Sequence, residues 1–222
     1  MGDFGYYYFF MIITHHGHSC VSIEKEGTKI LIDPGKFAFD VNGKQPEDFI
    51  GIKAILLTHE HADHTDPEII AKILAVNPEC TIYTNASIVK ILGEKGITAQ
   101  TLASGNEVMI GSLTVRAINC PHGALPVPVP ESTGFLIDGI VLDPSDSLDP
   151  QPLPQGVKVL LAPACAPWMT ANDAIAFVEK VKPEIVMPVH TAVWRYPYLV
   201  EKLFVNVLKE RGYRVETETI TL

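Results

Sequence analysis

Six consecutive residues carry four side chains able to bind a metal ion: His59, His61, Asp63 and His64, interleaved with Glu60 and Ala62. Imidazole and carboxylate donors in this ratio suit zinc, with manganese and iron as alternatives. No regular backbone gathers all four. A helix would turn His59 and His61 about 200° apart, and a strand would send His64 to the face opposite the others. The cluster therefore belongs on a loop that folds these side chains inward and leaves Glu60 pointing away. The plainer alternative, a polar loop of solvated histidines, accounts poorly for three His and one Asp in six residues. So short a stretch cannot complete two coordination spheres, and further donors must come from other loops.

The flanking elements show where. Residues 54–59 (AILLTH) form a short, continuously apolar strand that runs into the cluster. Asp66 then supplies an N-cap and Pro67 a first helical residue for a helix to about Val76. Upstream, Val21 to Asp33 reads as a hairpin turning at Gly27. Downstream come a strand over 81–85, a short helix closed by Gly93, and a strand over 112–120 that delivers His122. Asp138-Gly139 between apolar arms is a strong hairpin signal and leads to Asp143 and Asp146. A buried-type strand over 157–164, a helix over 172–181, a strand over 184–189 ending at His190, a helix over 198–210 and a last strand over 213–222 complete the chain. His122, Asp146 and His190 each lie just beyond a strand, where loops carry active groups. Helices alternating with strands, hairpins mixed in, predict an α/β fold of sheets covered by helices.

No linker divides the 222 residues, which are expected to form one domain over 1–222, with 1–11 as an irregular N-terminal extension. The Pro-rich stretch 124–133 follows His122 too closely to be a tether and reads as a loop beside the site. Hydrophobic residues at 47% and charged residues at 19% favour a core over disorder. With 17 Lys and Arg against 26 Asp and Glu the formal charge is −9, which excludes a nucleic-acid-coating role. Cys20, Cys80, Cys120 and Cys165 fit neither a zinc knuckle nor a disulfide framework, so reduced thiols and a cytoplasmic location are expected. Cys120 reads as structural. The apolar run Phe4 to Ile13 is too short to span a membrane and lacks the charge and cleavage pattern of a signal peptide; its second half reads as a strand.

The intact H-x-H-x-D-H pattern of His59, His61, Asp63 and His64 resembles the signature of the metallo-β-lactamase fold superfamily. Within it the chain is most similar to metal-dependent hydrolases of the L-ascorbate-6-phosphate lactonase type. GHSCVSIE from Gly17, ILIDP ending at Pro34, PSDS at 144–147 and IVMPVH ending at His190 look similar too. The resemblance implies a four-layer αββα sandwich of two mixed β-sheets flanked by helices. It implies two divalent ions, zinc first and manganese or iron as alternatives: one held by His59, His61 and His122, the other by Asp63, His64 and His190, with Asp146 bridging. Asp33 would support the ligand loop from behind, and His18 would lie near the site. His15 and His16 have no assigned role. The family usually has Gly before the bridging Asp; here Ser145 precedes Asp146, and Asp143 is a rival.

The expected chemistry is hydrolysis of a small lactone, ester or phosphoester by a metal-bridging hydroxide, with Asp63 as catalytic proton acceptor. A small molecule, anionic ones included, is the expected partner, with no nucleic acid or membrane and with a homo-oligomer left open. Trp194 and Arg195, shortly after His190, are candidates for stacking on and charge-pairing with an anionic substrate. The alternatives are a phosphodiesterase or nuclease of the same fold, an iron redox protein, and a non-catalytic metal-binding protein.

Overall fold

A computed structural model describes residues 10–193 and 197–222. In the first sheet β1 (Met11–Gly17), β2 (Cys20–Lys25) and β3 (Thr28–Ile32) are antiparallel, and β4 (Ala54–Leu56), β5 (Thr81–Thr84) and β6 (Gln100–Thr101) continue from β3 in parallel. In the second, β7 (Glu107–Ile110), β8 (Leu113–Asn119), β9 (Thr133–Ile137) and β10 (Val141–Asp143) are antiparallel. From β10 the parallel strands β11 (Val159–Pro163), β12 (Ile185–Val189) and β13 (Arg214–Val215) extend it. A last strand, β14 (Thr219–Thr221), returns to the first sheet as the antiparallel neighbour of β1, giving seven strands in each among the described residues.

Strand alternation decides the layering, because successive side chains point to opposite faces. On β4, Ala54 and Leu56 enter the core between the sheets, whereas Ile55 packs under the helices. On β11 and β12, Val159, Leu161, Ile185 and Met187 face the other sheet, and Leu160 and Val186 face outward to helices. These central strands are covered on both sides, which is why they read as continuous apolar runs rather than alternating ones. Helices α1 (Lys36–Asp40), α2 (Pro67–Val76) and α3 (Ala86–Glu94) cover the first sheet with Ala38, Ile70, Ile73, Ile88 and Leu92. Helices α4 (Ala171–Val181) and α5 (Pro197–Glu210) cover the second with Phe177, Val178, Phe204 and Leu208. The result is the expected pair of mixed sheets flanked by helices.

Local signals account for the helix starts. The Asp66 side chain accepts from the backbone N–H of Glu68 and Ile69 ahead of Pro67, and Thr170 with Asp173 forms a capping box for α4. Three expectations need correction. The apolar run 54–59 is a strand only to Leu56, because the N–H of Thr58 leaves the ladder to donate to the Asp33 carboxylate at 2.9 Å. The last strand is two strands in different sheets, β13 and β14, since the chain crosses between layers after Val215. Met11, placed in an irregular extension, opens β1; residues 1–9 lie outside the described residues. Among the described residues no helix is long and apolar enough to cross a membrane.

Both sheets carry the histidine and aspartate loops at one edge. The strands that lead into them, β1, β3 and β4 in one sheet and β8, β10, β11 and β12 in the other, all present their C-terminal ends there, the usual place for sites in sheets of this kind. Phe135, fully buried between the sheets, tests the packing that aligns those edges. Phe135→Ala should lower the unfolding free energy by about 3–5 kcal/mol in urea denaturation. A loss below about 1 kcal/mol would show that the two sheets do not share a close-packed core.

Candidate metal centre

The H-x-H-x-D-H loop spans the turn between β4 and α2, and one buried carboxylate fixes both its ends. Asp33, just past β3, accepts the N–H and O–H of Thr58 at 2.9 and 2.6 Å and the Nδ1–H of His64 at 2.7 Å. Gly35 lets the β3 loop approach: a Cβ there would stand 2.0 Å from the Asp63 carbonyl oxygen and 2.4 Å from the His64 nitrogen. Glu60 is exposed, as its place between two inward histidines requires.

The loop's side chains meet donors from the opposite sheet. His59, His61 and His122 form one group whose nitrogens all lie within 4.8 Å of one another; His18, Asp63, His64 and His190 form a second; His59, His64 and Asp146 form a third that joins them. His59 Nε2 and His61 Nδ1 are 3.0 Å apart. Asp146 sits at the centre: its Oδ2 is 3.2 Å from His190 Nε2 and 3.6 Å from His122 Nε2, and its Oδ1 is 3.3 Å from His64 Nε2. Asp63 Oδ2 lies 3.5 Å from His190 Nε2 and 3.8 Å from His64 Nε2. The rival Asp143 is turned aside to accept the Ser145 N–H at 2.9 Å and belongs to none of the three groups.

These atoms fit a cation. His64 Nε2, His122 Nε2, His190 Nε2 and Asp146 Oδ1 are buried without a hydrogen-bond partner, an arrangement that costs free energy unless an ion or polar ligand takes their lone pairs. Their charge states agree. Burial alone would raise the pKa of Asp146 and depress those of His64 and His190, but mutual attraction outweighs it. Asp146 is held well below the usual carboxylate range, His64 well above the usual imidazole range, and His190 at about 9. The chain thus concentrates negative charge that positive charge must balance, and a metal held there would compete with protons. Burial and the neighbouring imidazoles depress His59 strongly and His61 less, against the opposing pull of Asp146 and Asp63.

Backbone strain gathers at the same place. Of seven non-glycine residues with positive φ among those described, His18, Asp33, Ser145 and His190 line this edge. Ser145, where the resemblance leads one to expect Gly, keeps the left-handed conformation at φ 56°.

Residues 12–190 match the family model described as Beta-lactamase superfamily domain. Protein Rv0786c of Mycobacterium tuberculosis is 33% identical over 191 residues, 82% of this chain and 85% of its own. A UPF0173 protein of Pyrococcus furiosus is 33% identical over 192 residues, 81% of this chain and 83% of its own. The chain belongs to the metallo-β-lactamase superfamily, in its UPF0173 family. The structure of Igni18, a metallo hydrolase from the archaeon Ignicoccus hospitalis, superposes with a TM-score of 0.76 at 22% identity, covering 96% of this chain and 98% of that one.

The UPF0173 chain uses one residue that the sequence did not single out. Trp168, in the loop after β11, donates its indole N–H to Asp146 Oδ2 at 3.2 Å and lies against Gly123, where a Cβ would stand 2.1 Å from the ring. A tryptophan in an apolar stretch reads as core; the usable signal was its place beyond a buried strand, shared with the donors. Trp194 and Arg195 lie outside the described residues. His16 is bound to Ser22 Oγ at 2.8 Å and packs edge-on to Phe49, away from the donors, and His15 lies 2.9 Å from the His18 carbonyl. Cys120 is buried, its thiol pushed up to about 12 by desolvation. Trp168→Phe, which keeps the ring and removes the N–H, should weaken zinc binding roughly 10- to 100-fold in chelator competition. Unchanged affinity would show that this hydrogen bond does not orient Asp146.

Proposed function

We propose that the protein is a dinuclear metal hydrolase acting on a small lactone, ester or phosphoester. The carrying observation is the set of partnerless buried nitrogens and carboxylate oxygen that face one another across the sheet edge. His59, His61 and His122 would hold one ion, Asp63, His64 and His190 the other, and Asp146 would lie between them. Zinc suits this nitrogen-rich set best. Two such ions supply Lewis acidity toward a carbonyl or phosphoryl oxygen and a water acidified enough to attack near neutral pH.

The chain's own groups do the rest. Asp63 is the more open carboxylate, its side chain 18% exposed against 5% for Asp146, so it is placed to pass a proton on to solvent rather than keep it: against the effect of burial, His18 and His190 hold its carboxyl well below the usual range. Cys20 and Cys120 do not compete as nucleophiles: burial pushes both thiols up, and a protonated thiol is a poor one. Trp168 and Gly123 form a wall beside His122 against which a small apolar group can rest. UPF0173 relatives bear the name metal-dependent hydrolase, which supports the reading. Substrates of the ascorbate-6-phosphate lactone type fall within the proposed class. The formal charge of −9 disfavours the nuclease alternative. A small-molecule partner and a cytoplasmic location complete the proposal.

Metal content of protein purified without added metal, paired with hydrolysis of lactone, phosphodiester and thioester panels, tests this. About two equivalents per chain, lost together with hydrolysis in His59→Ala, are expected. Metal content below about one equivalent that does not change in His59→Ala would overturn the reading.

A further inference from the structure

Four imidazoles of the cluster present one tautomer to it, and His18 presents the opposite one. In His64, His122 and His190, Nδ1 donates to Asp33 Oδ2 at 2.7 Å, to the Gly123 carbonyl at 2.6 Å and to the Cys165 carbonyl at 2.6 Å, so Nε2 is the nitrogen left to bind a cation in exchange for any proton it holds. His59 follows the same logic. Thr58 Oγ1 already spends its proton on Asp33, so at 3.1 Å it can only accept from His59 Nδ1.

His18 reverses the pattern. The backbone N–H of Ala192, which can only donate, meets its Nδ1 at 3.2 Å. Nδ1 is therefore the acceptor, and the neutral ring carries its proton on Nε2. That proton points at Asp63 Oδ2, 2.9 Å away. Proximity alone would group His18 with Asp63, His64 and His190 as a fourth donor. The Ala192 contact separates the two roles, because a ring that ligates through Nε2 needs its proton on Nδ1.

We propose that His18 is a positioning residue and not a metal ligand: its Nε2–H holds Asp63 Oδ2, the oxygen that faces His190 and His64, and leaves that oxygen's remaining lone pair for the ion. This rests on the two-metal reading above. The surroundings are built for the task. His18 is fully buried and takes a left-handed φ of 52°, and its carbonyl accepts the His190 N–H at 2.8 Å. His15 Nε2 lies 2.9 Å from the same carbonyl, which gives that histidine a bracing role, and Phe37 meets the ring edge-on at 5.0 Å.

Long-range proton–nitrogen NMR of wild-type protein labelled with 15N-histidine reads the tautomer directly. His18 is expected with a proton on Nε2, and after loading with 113Cd it should show no nitrogen–cadmium coupling, whereas His64 and His190 couple through Nε2. A proton on Nδ1, or coupling of His18 to cadmium, would overturn the assignment. In zinc titrations, His18→Ala should weaken one of the two equivalents roughly 10- to 100-fold, and His18→Gln, which returns an N–H toward Asp63, should recover most of that loss. Wild-type affinity for both equivalents in His18→Ala would also overturn it. If wild-type protein takes up no metal, the two-metal reading fails, and the tautomer measured on the same metal-free sample still decides the role of His18.

Discussion

The carboxylate of Asp33 is the interaction on which the site depends. It is buried and bears three hydrogen bonds, two from Thr58 and one from His64, the residues just before and at the end of the histidine loop. Burying a carboxylate is costly unless donors surround it. Here the donors are the two ends of the segment that must be held. The same group stops β4 by drawing the Thr58 N–H out of the ladder, so strand termination and placement of the histidine loop are one event. His64, oriented through Nδ1, then places Nε2 3.3 Å from Asp146 Oδ1 on the other sheet, where neither atom has a hydrogen-bond partner, so the two halves of the molecule face each other with donors an ion would join.

Much of this was legible in the residues. The H-x-H-x-D-H loop could be read because its donors are contiguous, and His122, Asp146 and His190 because all three lie just beyond the end of a strand. The helix over Pro67–Val76 announced itself by cap, proline and spacing. The less legible parts share a physical cause, which is that their signal lies in partners rather than in local pattern. The segment after Gly212 has the composition of one strand, and only pairing partners reveal that Arg214–Val215 and Thr219–Thr221 join different sheets. The edge strand Glu107–Ile110 leaves most of its side chains exposed or half exposed, so it lacks the apolar mark of its central neighbours. Trp168 carries no local mark of its role, because its working atom is one N–H on a large apolar ring.

The site also explains why the loops, and not the strands, carry the unusual backbone. Asp33, Ser145 and His190 each stand one or two residues past a strand end and turn sharply, out of the alternation that would send their side chains to one face of the sheet or the other. A non-glycine residue in the left-handed region costs on the order of 1 kcal/mol. Ser145 shows what such a residue returns: its Oγ reaches His59 Nδ1 at 3.2 Å, and its N–H is taken by Asp143. A glycine would relax the backbone and lose the hydroxyl.

Strain, partnerless buried atoms and crowded like charges are liabilities to the folded chain by itself. All three sit at one edge, while the strands beneath are packed on both faces by ordinary apolar contacts. Ligation would act on each liability together, taking up lone pairs, balancing Asp63 and Asp146, and fixing the turned loops. By linkage, whatever free energy binding contributes at this edge is added to the stability of the fold, since an unfolded chain holds no such arrangement of donors. The sandwich, packed on both faces of its central strands, holds this constellation in place, and the constellation would give a metal its purchase.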